Sequence, residues 1–153
     1  MTAGDRPGDT GRVSRPELAA ALDLAAHPEG GWYRRTWTSP VSVATAHGPR
    51  PTATAILYLL DGPSRWHRVR SEELWMWHAG SPVALADGGD GDDTDDPADV
   101  PPATLGPPDD TGALPQLRIP AGNWQRATLL GPEPALVTCV VSPGFDFADF
   151  EMR

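Results

Sequence analysis

The chain has 153 residues and a mass of 16.3 kDa, enough for one domain with its own core and too few for two. Twelve arginines and no lysine stand against 21 acidic residues, a net charge of −9. That balance excludes a basic nucleic-acid surface and polybasic attachment to anionic lipid, and the missing lysine excludes Schiff-base, pyridoxal and P-loop chemistry.

Residues 1–13 carry little apolar content and are expected to form a flexible tail. Ser14, with Glu17 three residues on, has the pattern of a capping box, and Pro16 is tolerated in the first turn. Leu18, Ala21, Leu22 and Ala25 recur at helical spacing, so a short amphipathic helix is predicted over 15–25, ended by Pro28 and Gly30-Gly31. From there the pattern is that of strands. Segments 32–38, 52–60, 65–69, 73–78, 83–86, 117–120, 126–130 and 135–142 are β-branched, aromatic or aliphatic, and Gly, Pro and Asp separate them. About eight strands after one short helix predict an all-β antiparallel sandwich or barrel of jelly-roll type, spanning 14–153 as one domain.

The charge is concentrated in one window. Residues 87–116 hold nine Asp and no Arg, which leaves the rest of the chain with 12 acidic against 12 basic residues. Six Pro and five Gly fall in the same window. So few apolar side chains cannot offset the entropy of ordering, and the window is read as a long, largely disordered loop inside the domain. The lone Cys139 excludes an internal disulfide and a multi-Cys zinc site, and reads as an inert core thiol. No apolar run approaches 18 residues and no charged-then-apolar leader opens the chain. The expectation is a cytoplasmic protein with no membrane span.

Candidate chemistry lies between Trp66 and Gly80. Strand alternation puts His67 and Val69 on one face and, after a turn at 70–72, places Glu73, Trp75 and Trp77 on one face. A hairpin of this kind brings His67 beside Glu73 inside a barrel walled by indoles. An imidazole next to a carboxylate there suits a buried pair that only fixes the fold, and also a general-base pair or a partial metal site. In strand 32–38, Arg34 shares a face with Trp32 and Thr36, whereas Tyr33, Arg35 and Trp37 share the other, and the pattern does not say which is inside. An inward Arg34 would clamp a ligand carboxylate or phosphate, or pair with Glu29 or Glu73. His27 and His47, beside Pro and Gly, receive no role, and His78, opposite Trp77, reads as a packing or interface residue.

These segments resemble the cupin superfamily. His67, Glu73 and Gly80 fall on positions of its first motif, and Pro120-Ala121-Gly122-Asn123-Trp124-Gln125 resembles its second, with Gln125 where the last metal ligand usually stands. His27-Pro28-Glu29-Gly30-Gly31-Trp32-Tyr33-Arg34 and Pro143-Gly144-Phe145-Asp146-Phe147 look like the fifth cupin family, small barrels without a settled function. The resemblance implies a double-stranded β-helix with a short N-terminal helix, and a homodimer. It departs at Val69, which replaces a second His, and at Gln125, which replaces a third, leaving His67 and Glu73 as strong ligands with Gln125 as a weak one. No metal or other cofactor is therefore expected, and a metal-dependent enzyme using His67, Glu73 and Gln125 is the alternative. The resemblance to the metal-free epimerases of the superfamily implies an isomerase, epimerase, lyase or cyclase acting on a small molecule. His67 would be its base, Glu73 its orienting carboxylate and Tyr33 its acid. Arg34, Tyr58, Trp75, Trp77 and Gln125 would bind substrate. A non-catalytic metabolite-binding module is the remaining reading.

Overall fold

Side chains that alternate between buried and exposed run through most of the chain, as strands with one face on a core require. The computed structural model describes residues 14–92 and 100–153, so the predicted tail 1–13 and residues 93–99 of the acidic window lie outside it. The only helix of the α type among the described residues is α1 (Glu17–Ala21). The strands are β1 (Ala25–Ala26), β2 (Trp32–Thr38), β3 (Ser42–Thr45), β4 (Gly48–Pro51), β5 (Thr54–Leu60), β6 (His67–Val69), β7 (Glu72–Ala79), β8 (Val83–Asp87), β9 (Ala103–Leu105), β10 (Gln116–Ile119), β11 (Gln125–Leu129), β12 (Ala135–Ser142) and β13 (Phe150–Met152). A 3-10 turn over Phe147–Asp149 precedes the last strand.

The helix is shorter than its apolar spacing predicts, and the capping box does not form. Pro16 is the N-cap and no side chain caps the first turn. Asp23, at φ 55°, turns the chain into β1, a left-handed conformation that Asp tolerates better than most residues.

Two antiparallel sheets build the barrel. One runs β1-β2-β5-β12-β7-β10, the other β13-β6-β11-β8-β9, and β3 and β4 form a separate ribbon. Tyr58, Trp75, Val137 and Cys139 of the first sheet and Val83, Leu85, Leu105 and Ala127 of the second bury one shared core. Ala19 and Leu24 pack with Leu59 on the outer face of β5. That second layer explains why the run 58–60 is buried on both faces. At the corner after β7, Gly80 has φ +88° and a Cβ built there would lie 1.8 Å from the Pro134 carbonyl, so only glycine fits.

Two expectations are corrected. β6 and β7 do not form a hairpin: β6 pairs with β11 and β13, while β7 pairs with β12 and β10. Arg70 and Ser71 carry the chain from one sheet to the other, and His67 and Glu73 meet across the barrel instead of along a ladder. The window 87–116 is not one loop. Val83, Ala84 and Leu85 pair with Leu105, Thr104 and Ala103, Leu105 is fully buried, and Ala113 is buried beside it. Burial of Leu105 and Ala113, the pairing of β9 with β8 and the backbone hydrogen bonds between Leu114 and both Thr104 and Gly106 hold the second half of this polar segment.

Candidate active site

A cavity of about 250 Å³ lies between the sheets, lined by His27, Glu29, Tyr33, Arg35, His67 and Glu73, with Phe145, Phe147 and Phe150 as further wall. The loop 27–31 aims the first two of these. His27 N–H donates to the Gly31 carbonyl at 2.9 Å and Gly30 N–H to the His27 carbonyl at 3.0 Å. Gly31, at φ +75°, has no room for a side chain, since a Cβ would meet the Leu59 carbonyl at 2.7 Å and the Tyr58 ring at 2.9 Å. This tight turn leaves Glu29 nearly buried and pointing into the barrel.

Hydrogen-bond partners fix the protonation pattern. His67 Nδ1 lies 2.8 Å from the Arg65 carbonyl, which only accepts, so Nδ1 carries a proton. His67 Nε2 lies 2.5 Å from Glu29 Oε2. Two lone pairs cannot face each other at that distance, so the ring carries its proton on Nε2 and the contact is an ion pair. Glu29 Oε2 has no partner of hydrogen-bond geometry among the described residues, so this ion pair is what offsets its burial. Burial works against charge on His67, but Glu29 and Glu73 outweigh it, and the imidazole titrates above its ordinary 6.5. His27 behaves in the opposite way. Its Nδ1 accepts the Glu29 backbone N–H at 3.1 Å, and burial holds the ring below 6.5 despite the nearby Glu29 carboxylate. Burial pushes the Glu73 carboxyl up to about 7, against the pull of His67 and with the help of Glu29. Gln125 Nε2 donates to its Oε2 at 3.2 Å.

Tyr33 lines the cavity, its ring 4.6 Å from that of His27 and nearly edge-on. The remaining predicted residues sit elsewhere. Arg34 points outward, and its Nε donates to the Leu22 carbonyl at 3.0 Å. The cavity-facing arginine is Arg35, because Tyr33 belongs to the inner face of β2 and the residue two positions on shares it. Tyr58 is fully buried and donates to the Gly30 carbonyl at 2.5 Å, which makes it a support for the 27–31 turn. Trp75 is fully buried and donates to Gln125 Oε1 at 2.8 Å. Trp77 packs against the same core and donates to the Ser81 carbonyl at 3.2 Å. Neither indole nor Gln125 is among the residues of the cavity wall, whose aromatic part is Tyr33 and the three phenylalanines. Indoles carry the largest apolar area and are drawn to the centre of the core. Sequence reasoning missed Glu29, His27, Arg35 and Phe150 as cavity residues. The consecutive glycines after Glu29 were the one signal that a loop residue is held at a fixed angle.

The donor set does not fit the metal that many barrels of this fold family hold. Val69 offers no ligand, Gln125 spends both ends of its amide on Trp75 and Glu73, and His67 Nε2 is engaged by Glu29. No group of three His, Cys, Asp or Glu side chains takes up a metal-binding arrangement among the described residues. No described helix is long and apolar enough to cross a membrane.

The raised carboxyl makes stability depend on pH. Between 4.5 and about 7 the folded state keeps on Glu73 a proton that the unfolded chain has already released, so stability falls as pH rises through this window. His67, also raised, acts in the same direction above 6.5. Urea unfolding of the parent protein at pH 5 and pH 8 is expected to show a loss that Glu73→Gln reduces by up to roughly 3 kcal/mol. Parallel pH profiles for the two proteins would show that Glu73 is not held protonated.

The profile of a family described as "Cupin superfamily (DUF985)" matches residues 16–153. A hypothetical protein from Leishmania major is 32% identical with a TM-score of 0.79, and the match covers 89% of this chain and 85% of that one. A protein from Shewanella oneidensis is 30% identical with a TM-score of 0.77, over 90% of this chain and 82% of that one. Streptomyces PAC13, solved with uridine, shares the fold at 14% identity and a TM-score of 0.52, over 83% and 81%. No protein of curated function matches the chain. With the two-sheet barrel, the His67–Glu73–Gly80 motif at its corner and a profile match over nearly the whole length, the chain belongs to the cupin superfamily, in the family described as DUF985.

Proposed function

We propose that the barrel binds a small organic molecule and moves protons on it without a metal, as an isomerase, epimerase, or lyase or cyclase does. The observation that carries this reading is the pairing of two proton carriers of different state in one walled cavity. His67 is ion-paired with Glu29 at 2.5 Å, and Glu73, pushed up to about 7, is divided between acid and carboxylate near neutrality. General acid–base catalysis is most effective when pKa values lie near the operating pH. Ionised Glu73 takes a proton from carbon next to a substrate carbonyl, while the His67 Nε2 proton passes to the carbonyl oxygen through the Glu29 carboxylate that lies against it and lines the cavity. Glu73 then returns a proton to carbon, and the proton on oxygen goes back through Glu29 to His67. Tyr33 supplies a second hydroxyl on the wall, and the phenylalanines exclude water, which strengthens each of these interactions.

Solvent exchange tests the reading without knowledge of the physiological substrate. Small 2-oxo and 3-oxo compounds incubated with the protein in deuterium oxide are expected to gain deuterium at the carbon beside the carbonyl, read by proton NMR. His67→Gln should lower that rate by about 100-fold or more. Full exchange in that variant contradicts the assignment. Retained binding with no exchange in either protein makes the barrel a binding module.

A further inference from the structure

The wall of the cavity holds one guanidinium, and its surroundings indicate the class of ligand. Arg35 has no acidic partner among the described residues, whereas Arg50 pairs with Asp149 at 2.8 Å, Arg68 with Glu151 at 2.8 Å and Arg118 with Glu72 at 2.8 Å. It is held in place without charge neutralisation. One Nη2 hydrogen goes to the Phe145 carbonyl at 2.9 Å, and the guanidinium carbon lies 5.9 Å from the centre of the Phe145 ring. A guanidinium has five N–H donors, so most of its capacity stays open.

Inside the cavity the remaining charges nearly cancel. Glu29 is matched by His67 at 2.5 Å, and Glu73 is about half neutral near pH 7. Arg35, exposed to solvent, is then the one charge of the described lining without an opposite partner. Apolar rings lead from it to the proton carriers: Phe145, under the guanidinium, lies 6.0 Å from Phe150, whose ring is 5.8 Å from that of His67. A ligand that fits this order has an anion at one end, a short apolar body, and the reacting group at the other.

We propose that the cavity takes a small organic oxyanion, a carboxylate or a phosphate monoester, whose charged end is gripped by Arg35 in bidentate fashion. Arginine suits this task because its planar fork matches two oxygens at once. The proposal deepens the reading of this cavity as the substrate site and does not depend on which proton step follows. Arg35 acts in it as a specificity-determining residue.

Titration calorimetry on the full chain tests it, with benzoate, phenyl phosphate and the neutral benzyl alcohol as ligands. At least one of the two anions is expected to bind at least about tenfold tighter than benzyl alcohol, a margin of about 1.4 kcal/mol. Arg35→Met should erase that margin and leave benzyl alcohol unchanged, and Arg35→Lys should restore part of it. Arg34→Met, on the outer face of the same strand, should leave all three affinities as they were. A preference confined to benzoate or to phenyl phosphate assigns the oxyanion, and a shared one assigns the general class. Equal or tighter binding of benzyl alcohol, absence of anion binding at millimolar concentration, or a margin kept by Arg35→Met overturns the proposal. Arg35→Gln repeats the comparison should the Met variant lose its fold by circular dichroism. If the anion margin holds while no deuterium exchange occurs, the proton-transfer reading fails and this proposal stands.

Discussion

Glu29→Gln is expected to cost the exchange reaction about 100-fold or more while leaving the barrel folded. The carboxylate 2.5 Å from His67 Nε2 is what keeps the second proton on the ring. An amide in its place removes the charge that offsets burial, and the buried imidazole then titrates below its present value. Rate against pH discriminates this from a merely structural loss. The limb belonging to His67 should move to lower pH in the variant, whereas a structural loss would scale the whole profile down without moving it. Glu29→Asp keeps the charge but withdraws it by one methylene, and should recover part of the rate.

The second large effect concerns the core behind the site. Trp75→Ala is expected to destabilise the fold by about 3–5 kcal/mol, the usual range for a buried aromatic truncated to alanine. Trp75 is fully buried, stands edge-on to Tyr58 at 5.9 Å, and its indole N–H is the donor to Gln125 Oε1. Its removal opens a cavity and leaves that amide oxygen without its donor, a further cost of about 1–3 kcal/mol. Trp37, 49% exposed on β2, is the control, and Trp37→Ala should change stability by under about 1 kcal/mol. A Trp75→Ala loss no larger than that of the control, measured by urea denaturation, would mean that the indole is not part of the core.

How far the sequence could be read follows from what kind of signal each feature leaves. Alternation is local, so the long strands 32–38, 72–79 and 135–142 were legible almost to the residue. The predicted helix is too long by two residues at its start and four at its end, because apolar spacing cannot see that Pro16 caps without a side chain and that Asp23 turns the backbone. Strand periodicity separated Arg34 from Arg35 but not inside from outside, which is decided by the sheet packed opposite. His67 and Glu73 were correctly placed in one cavity, yet through the wrong connection, since sheet membership depends on partners far along the chain. Glu29 carries no periodic signal at all. It sits in a turn, directed by hydrogen bonds of its own backbone to His27 and Arg65 and by the Tyr58 hydroxyl and the glycines packed beneath it. The acidic window shows the opposite error: its composition is polar, but the few apolar side chains Leu105 and Ala113 are buried and a strand pairs there with β8.

The net charge of −9 says little about the ligand for the same reason. It belongs mostly to the window 87–116, whereas the cavity is lined by two carboxyls, two imidazoles and one guanidinium from outside that window. Glu29 holds His67 doubly protonated, and nitrogen-15 NMR of the imidazoles as a function of pH is the direct test. The His67 ring is expected to be protonated on both nitrogens at pH 6.5 and to titrate above that value, with an Nε2 proton that Glu29→Gln removes. A His67 ring that is neutral at pH 6, or one whose titration is unchanged in Glu29→Gln, would contradict it.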